Sequence, residues 1–390
     1  MKITKIECMP TSSPIAKPQV LSGIVISSIK SVVIKMHTDD GIIGIAETGD
    51  CSEWYMGESQ DSVMHLINNI FGTKILIGED PFNVEKIVAK MDYAVRGNNQ
   101  AKAVIDFALH DIMGKKLGVP VYKLLGGLSN EKIELGFVIG AGNPQELVKE
   151  AREVLAAGFH SLKIKVGALT PEQDINNIKT LRETLGPDVR IMIDANAGWH
   201  YYQALETLKK MEKYDLGYCE QPLPWWDVNG LARLRQQVRI PIFADESAGE
   251  LKQVMECIEK NAVDGFLIKI PKAGGYLKAQ KWVTIAKAAG LPVLCGCLKG
   301  SGIESATQAH FLAATEWMSK HEHENAGLLE NHGILETVKT KITTDLAKYL
   351  PKYENGFMYA PDKPGIGIEL NEEYVSKYLT PGKKATVIRK

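Results

Sequence analysis

Ile191-Met192-Ile193-Asp194-Ala195-Asn196 is an apolar run that ends abruptly in charge, and the chain repeats that pattern on both sides. Before it stands Leu162-Lys163-Ile164-Lys165-Val166. After it come Gly217-Tyr218-Cys219-Glu220-Gln221-Pro222, Ile242-Phe243-Ala244-Asp245-Glu246-Ser247 and Phe266-Leu267-Ile268-Lys269-Ile270-Pro271. Further out, apolar runs recur at 133–139 and 291–296, and weakly at 326–330, with helical stretches between them. One helix is clearly punctuated. Thr170-Pro171-Glu172-Gln173 offers an N-cap, a first-turn proline and a capping-box glutamine; Ile175, Ile178, Leu181 and Leu185 form its apolar stripe, and Gly186 ends it. Eight strand–helix units in about 200 residues predict an α/β fold, a (β/α)-barrel of modified TIM type, over residues 126–350. An open doubly wound sheet is the structural alternative.

The flanks read differently. Residues 1–125 predict an α+β capping domain, with strands over 2–9, 31–37 and 42–46. Thr38-Asp-Asp-Gly41 makes the turn between the last two, and helices follow near 59–72, 82–92 and 101–117. Segments 14–28 and 50–58 read as capping loops. The C-terminal stretch, 351–390, is turn-rich and is expected to pack back on the capping domain and complete it.

The charge balance, 46 basic against 47 acidic residues, offers nothing to nucleic acid or to an anionic membrane. No stretch is apolar and long enough to span a bilayer, and the first residues alternate like a strand rather than a signal peptide. Six cysteines, five of them in apolar or strand-like settings, predict free thiols and a cytoplasmic protein. Cys295-x-Cys297 lacks a second pair for a zinc site. His321-Glu-His323 reads as a solvated charged turn rather than a metal pair, and Lys272-Ala-Gly-Gly275 as the turn that opens a helix.

Charge at the C-terminal end of a barrel strand lies at the mouth, where barrel enzymes keep their active sites. Asp194, Glu220 and Asp245 are 26 and 25 residues apart, one strand–helix unit each. That places three carboxylates on adjacent strand ends. Clustered carboxylates repel and call for a cation, and all-oxygen ligation suits Mg²⁺, or Mn²⁺. Lys163 and Lys165, two apart, point to the same side of their strand, the barrel interior. Two neighbouring ammonium groups are expected to depress each other's pKa and leave one able to act as a base. Lys269 ends strand six, opposite strand two in an eight-strand ring, so lysines face each other across the mouth. Carbon acidity beside a carboxylate is weak. A metal on the carboxylate oxygens and a base on one face are what that chemistry needs.

Together Lys163-x-Lys165, Asp194-Ala-Asn196, Glu220-Gln-Pro222, Asp245-Glu246-Ser247 and Lys269 resemble the enolase superfamily, in its mandelate racemase/muconate lactonizing enzyme family and the muconate cycloisomerase-like subgroup. The resemblance covers nearly the whole chain. It implies that Lys165 and Lys269 are the acid/base pair, that Lys163 tunes Lys165, and that Asp194, Glu220 and Asp245 hold Mg²⁺ with Asn196 and Glu246 behind them. The implied substrate is a small carboxylate, and the implied state a homo-oligomer. One departure stands out. Where many relatives carry a glutamate after strand seven, this chain has Lys299, read either as a solvated loop residue or as a contact for an anionic substrate group. Trp54 and Tyr55 in the second capping loop are further candidates for substrate contact. A racemase or epimerase, a cycloisomerase and a dehydratase of a hydroxy-acid or hydroxyproline-like substrate all remain open. So does a non-catalytic metal-binding barrel.

Overall fold

The computed structural model describes residues 1–21, 24–318, 322–325 and 345–389. Strands β1 (Ile3–Leu21), β2 (Ile24–Thr38) and β3 (Ile43–Glu47) form an antiparallel sheet in the order β14-β1-β2-β3. The outer strand β14 (Thr386–Arg389) is the far C-terminus, paired through Lys5↔Arg389 to Cys8↔Thr386. The turn at 38–41 forms as expected: Thr38 N–H donates to Ile42 O at 3.0 Å, and Gly41 takes a φ of +84° that suits a residue without Cβ. The expected loop near 14–28 does not form among the described residues. The hairpin ladder runs on through Ser13↔Ile29 and Gln19↔Ile26 instead. The β-branched Val25 and Ile26 favour a strand there, while Pro14, Pro18 and Ser22-Gly23 are loop-like in sequence.

α2 (Gln60–Leu66) and α4 (Asn99–Leu117) pack against this sheet, α3 (Val84–Ala94) packs on α4, and the short helix α1 (Glu53–Met56) precedes α2. The helix expected near 59–72 is α2 followed by a wider π-helical segment, Ile67–Leu76.

A small antiparallel sheet joins β4 (Ile133–Glu134), β13 (Phe357–Tyr359) and β12 (Lys352–Glu354), and a further sheet is parallel, in the order β11-β10-β9-β8-β7-β6-β5. Its strands are β5 (Phe137–Ile139), β6 (Ser161–Lys165), β7 (Arg190–Asp194), β8 (Cys219–Glu220), β9 (Ile242–Ala244), β10 (Gly265–Ile268) and β11 (Val293–Cys295). Each leads into a helix, as in the predicted barrel. The helix over Pro171–Leu185 carries the Thr170/Gln173 capping box. The weak strand expected at 326–330 lies outside the described residues. The gap between β11 and the first strand is bridged by 322–325: His323 N–H donates to Glu134 O, Gly136 N–H to His323 O and Glu324 N–H to Cys295 O, each at 2.9 Å.

Strand alternation decides what faces inward. Met192, Tyr218, Phe243, Leu267 and Leu294 form a buried cluster of their own, with Tyr218 stacked on Phe243 at 4.5 Å. Ile191, Ile193, Leu162, Ile164, Ile242, Phe266 and Val293, of the opposite parity, belong to the large core that includes the helices. Two residues beyond each member of the inner cluster come Asp194, Glu220, Asp245, Lys269 and Gly296. With a period of two these side chains share the inward direction. The barrel floor is therefore apolar, and the layer above it is ionisable.

Candidate active site

The parallel registers pair Lys165 with Asp194 and Asp194 with Glu220, so the charged layer is built by strand pairing alone. Asp194 and Glu220 are each 1% exposed, Asp245 0% and Lys163 2%. Burying so many charges is tolerable only if they are paired, and they are. Lys163 donates to Glu220 and to Glu324, Lys165 to Asp194, and Lys269 to Asp245 at 2.5 Å. Lys272, on the short helix Ile270–Ala273 after β10, donates to Asp245 as well.

Supporting contacts come from the motif positions beside them. Asn196 accepts from Lys165 at 2.9 Å, its N–H donates to Asp194 at 2.8 Å, and its amide donates to Glu246 at 3.3 Å. The Gln221 side-chain oxygen accepts from Asp245 N–H at 3.0 Å and Ser247 N–H at 3.1 Å, which fixes the turn carrying Asp245. Tyr55, from α1, places its phenol oxygen 2.7 Å from both carboxylate oxygens of Asp245 and accepts from Lys269 at 2.7 Å.

The ionisation balance corrects one expectation. Burial works against the Lys165 ammonium, but Asp194, Glu220 and Glu324 more than offset it; Lys163 lowers it only slightly, and the net direction is up. Lys269 is likewise held up, against burial, chiefly by Asp245, and Lys163 by Glu220 and Glu324. Mutual repulsion between the lysines is real but outvoted by carboxylates. Burial pushes the Glu220 carboxyl up, with Asp194 adding to it. Burial together with Asp245 and Asp194 pushes Glu246 up to about 7. The Tyr55 phenol, buried and facing Asp245 and Glu246, stays protonated far above its usual range.

Asp194, Glu220 and Asp245 stand on three adjacent strand ends, but each is turned to a lysine. Among the described residues no three carboxylate, imidazole or thiolate side chains are gathered around an ion-sized point. The donor set nonetheless fits a hard divalent cation. It is all oxygen, it is buried, and burial together with crowded negative charge raises the Glu220 and Glu246 carboxyl groups.

A cavity of about 750 Å³, open solvent included, lies over this layer. Lys165, Lys269, Asn196 and Glu324 line it from the barrel, Asp50, Ser52, Trp54 and Tyr55 from the cap, and Cys297, Leu298 and Lys299 from the segment after β11. Its size suits a small molecule. The solvated reading of Lys299 does not hold: its ammonium is buried, and its charge acts on Asp50. Its backbone is left-handed, φ +57°. The amides on either side of it, Leu298 N–H and Gly300 N–H, both donate to buried Glu304. Trp54 sits edge-on to Tyr55 at 5.4 Å.

Two residues the sequence did not single out belong here. Glu324 stands on the segment that bridges the barrel, which has no apolar run to announce a strand. With no strand period to follow, the sequence carries no signal that places it at the mouth. In the sequence Lys272 is only part of a turn. That turn does form, with Gly274 at φ +98° and Gly275 at +106° before the next helix at Tyr276. His323 is not on a solvated turn: it is buried, its Nδ1 accepting from Cys295 N–H at 3.0 Å, while His321 lies outside the described residues. Free thiols are found as expected, with five cysteines buried and Cys297 half-buried. Among the described residues no helix is long and apolar enough to cross a membrane.

Comparison with known proteins agrees with this geometry. Residues 3–126 match the family model of the mandelate racemase/muconate lactonizing enzyme N-terminal domain, and residues 146–374 match that of the enolase C-terminal domain-like family. The N-succinyl-L-Arg/Lys racemase of Bacillus cereus is 33% identical over 374 residues, covering 96% of each chain. A crystal structure of a mandelate racemase/muconate lactonizing family protein from Azoarcus sp. EbN1 is 49% identical, with a TM-score of 0.93 over 100% of both chains. A dipeptide epimerase from Cytophaga hutchinsonii, solved with Mg and the dipeptide D-Ala-L-Val, is 26% identical with a TM-score of 0.89 over 100% of both chains.

Proposed function

The chain belongs to the mandelate racemase/muconate lactonizing enzyme family of the enolase superfamily and is an isomerase, and on that premise we propose that it moves a proton at the carbon beside a substrate carboxylate, as a racemase or epimerase of N-acylated amino acids or dipeptides. One observation carries the reading. Lys165 ends β6, Lys269 follows β10 with three strands between, and both line one cavity above Asp194, Glu220 and Asp245.

In this reading Asp194, Glu220 and Asp245 hold Mg²⁺, which would draw in the substrate carboxylate, offset charge as the enolate forms, and counter the carboxylates that keep the lysines protonated. One lysine enters as a neutral amine, and its Nζ lone pair takes the α-proton from one face. The ammonium of the other lysine gives a proton to the opposite face. The configuration inverts, no proton is gained or lost overall, and the two lysines have exchanged protonation states. Lys163 stays charged between Glu220 and Glu324 and keeps that pair from adding its full negative charge beside Lys165. Asn196 orients Lys165, and Gln221 fixes the backbone that carries Asp245. Lys299 faces the part of the substrate remote from the reacting carbon.

The test is α-proton exchange in deuterium oxide. Lys165→Ala should stop exchange from one stereoisomer and Lys269→Ala from the other, and both should lose net inversion. Full exchange surviving in the double variant would sink the lysine mechanism. If only one lysine proves indispensable for chemistry at the α-carbon, a cycloisomerase or a dehydratase takes the place of the racemase.

A further inference from the structure

Lys165 and Lys269 are held by different parts of the molecule. Lys165 leans on Asp194 and Asn196, both from the end of β7. Lys269 leans on Asp245 at 2.5 Å and on the Tyr55 phenol at 2.7 Å, and its ammonium stands 4.1 Å from the centre of the Tyr55 ring. Tyr55 belongs to the cap, on the four-residue helix α1 that ends at Gly57 with φ +72°. The segment leading into that helix is tied to the barrel, because Asp50 N–H donates to Leu298 O at 2.7 Å.

We propose that Tyr55 is a positioning residue for Lys269 and not for Lys165, so that the cap sets the acid/base group on one substrate face while the barrel sets the other. The proposal rests on the two-lysine reading above. The geometry supplies the reason. A neutral lysine amine has two N–H bonds and one lone pair. With one N–H on the phenol oxygen and the other on Asp245, the lone pair is left to point in a third direction. The same two anchors leave the third N–H of the ammonium for delivery. Without the phenol oxygen one anchor is gone, and Nζ rotates about its flexible stem.

Net turnover cannot reveal this. Two enantiomers have equal free energy, so any change in kcat/KM must be the same in both directions. Exchange of the α-proton without inversion reports each face separately.

The experiment uses Tyr55→Phe in the full-length protein with Mg²⁺ and a panel of N-succinyl amino acids, both enantiomers of each, in deuterium oxide. The expected result is a fall of about tenfold or more in exchange of the enantiomer that Lys269→Ala silences, the size expected when a hydrogen bond to a charged group is lost. The enantiomer that Lys165→Ala silences should keep its rate within about twofold, well below that hydrogen-bond effect. Mg²⁺ affinity by calorimetry and the melting temperature should match the parent. Equal losses for both enantiomers, or no loss, overturn the proposal, because a general lid role would act on both faces. Lost Mg²⁺ binding also overturns it, since Tyr55 would then act through Asp245. A parent enzyme that exchanges neither enantiomer refutes the two-lysine reading itself. A parent split cleanly by the lysine variants but not by Tyr55→Phe refutes Tyr55 alone.

Discussion

Lys163→Met removes one ammonium from between two carboxylates while keeping most of the side-chain volume. In the parent, Lys163 and Glu220 are 2% and 1% exposed at their side chains, and Glu324 is 14% exposed. Removing one partner of a buried pair costs about 3–5 kcal/mol, because the other charge stays buried and uncompensated. Glu220 is the fully buried partner and should set the size of the loss. Glu324 is nearer water and adds less. The sign of the pH dependence follows. Burial and neighbouring carboxylates already push the Glu220 carboxyl up, and losing Lys163 pushes it further. A carboxyl with a raised folded pKa penalises folding above that pKa, and the penalty is relieved as pH falls through it. The variant should therefore lose about 3–5 kcal/mol at pH about 8 in EDTA, and clearly less at pH about 5.5. Mg²⁺ should restore part of the loss: a ligand at a hundredfold its Kd adds about 2.7 kcal/mol, and Glu220 in the variant has no ammonium to compete. The assay is equilibrium urea unfolding followed by tryptophan fluorescence. A loss below about 1 kcal/mol in EDTA at the higher pH, or an equal loss at both pH values, would refute the claim that Lys163 neutralises the carboxylate layer.

Other perturbations test neighbouring parts of the argument. Gly296→Ala places a Cβ 3.0 Å from Lys269 Cε and 3.3 Å from its Cγ, so kcat should fall about tenfold with a melting temperature close to the parent's; an unchanged kcat would mean that the Lys269 position is not critical. Lys299→Ala should raise KM more than it lowers kcat if Lys299 meets a remote anionic group of the substrate, and unchanged kinetics would refute that contact. His310 is buried and accepts from Tyr122 N–H at 3.3 Å, and burial lowers its pKa from 6.5 to about 4. The unfolded chain protonates first, so His310 should contribute a loss of about 3 kcal/mol as pH falls from about 6.5 to about 4; His310→Gln should flatten that slope in urea midpoints, and an unaltered slope counts against it.

The charged layer was legible because strand alternation is strict. Once Ile191-Met-Ile193 is a strand, Asp194 must share a direction with Met192, and the same holds for Glu220 with Tyr218 and Asp245 with Phe243. Residues whose position depends on something other than strand period were missed. Glu324 sits on a bridging segment held by backbone bonds to both neighbours rather than by an apolar run. Lys272 reaches Asp245 from a helix, where no period links it to the strand. The pairing of residues 10–21 with 24–30 was hidden because the prolines, lysines and serines there resemble loop chemistry, and pairing between two long strands overrode that local signal. The lysine ionisation was misjudged for a related reason. Lys163 lies beside Lys165 in sequence, but the carboxylates that outweigh it come from other strands and are adjacent only in the fold.

The same alternation also explains which positions in the inward layer carry no charge. Gly296 follows Leu294 by two, at the place where the other strands carry Asp194, Glu220, Asp245 and Lys269. A Cβ there would press on the Lys269 stem and come within 3.5 Å of Glu324. Gly136 plays a like part beside the first strand, where a Cβ would meet Ser161 Oγ at 3.0 Å and the Glu322 side chain at 3.2 Å. Neither glycine has a left-handed φ, so backbone freedom does not account for them. At Gly296 the missing side chain leaves room for Lys269 and Glu324 at the mouth, and at Gly136 it leaves room for Glu322, which meets Arg190 at the start of β7. The ring thus alternates in function as well as in direction: some strands supply charge, and others supply the space in which that charge can lie. The cap adds a third contribution, because Asp50, Ser52, Trp54 and Tyr55 cover a layer whose lysines and carboxylates are paired with one another within the barrel. Substitutions in that loop can therefore change what is bound with little effect on the barrel's charged pairs, except at Asp50, on which the charge of Lys299 acts, and at Tyr55, where the cap touches Lys269 and Asp245 directly.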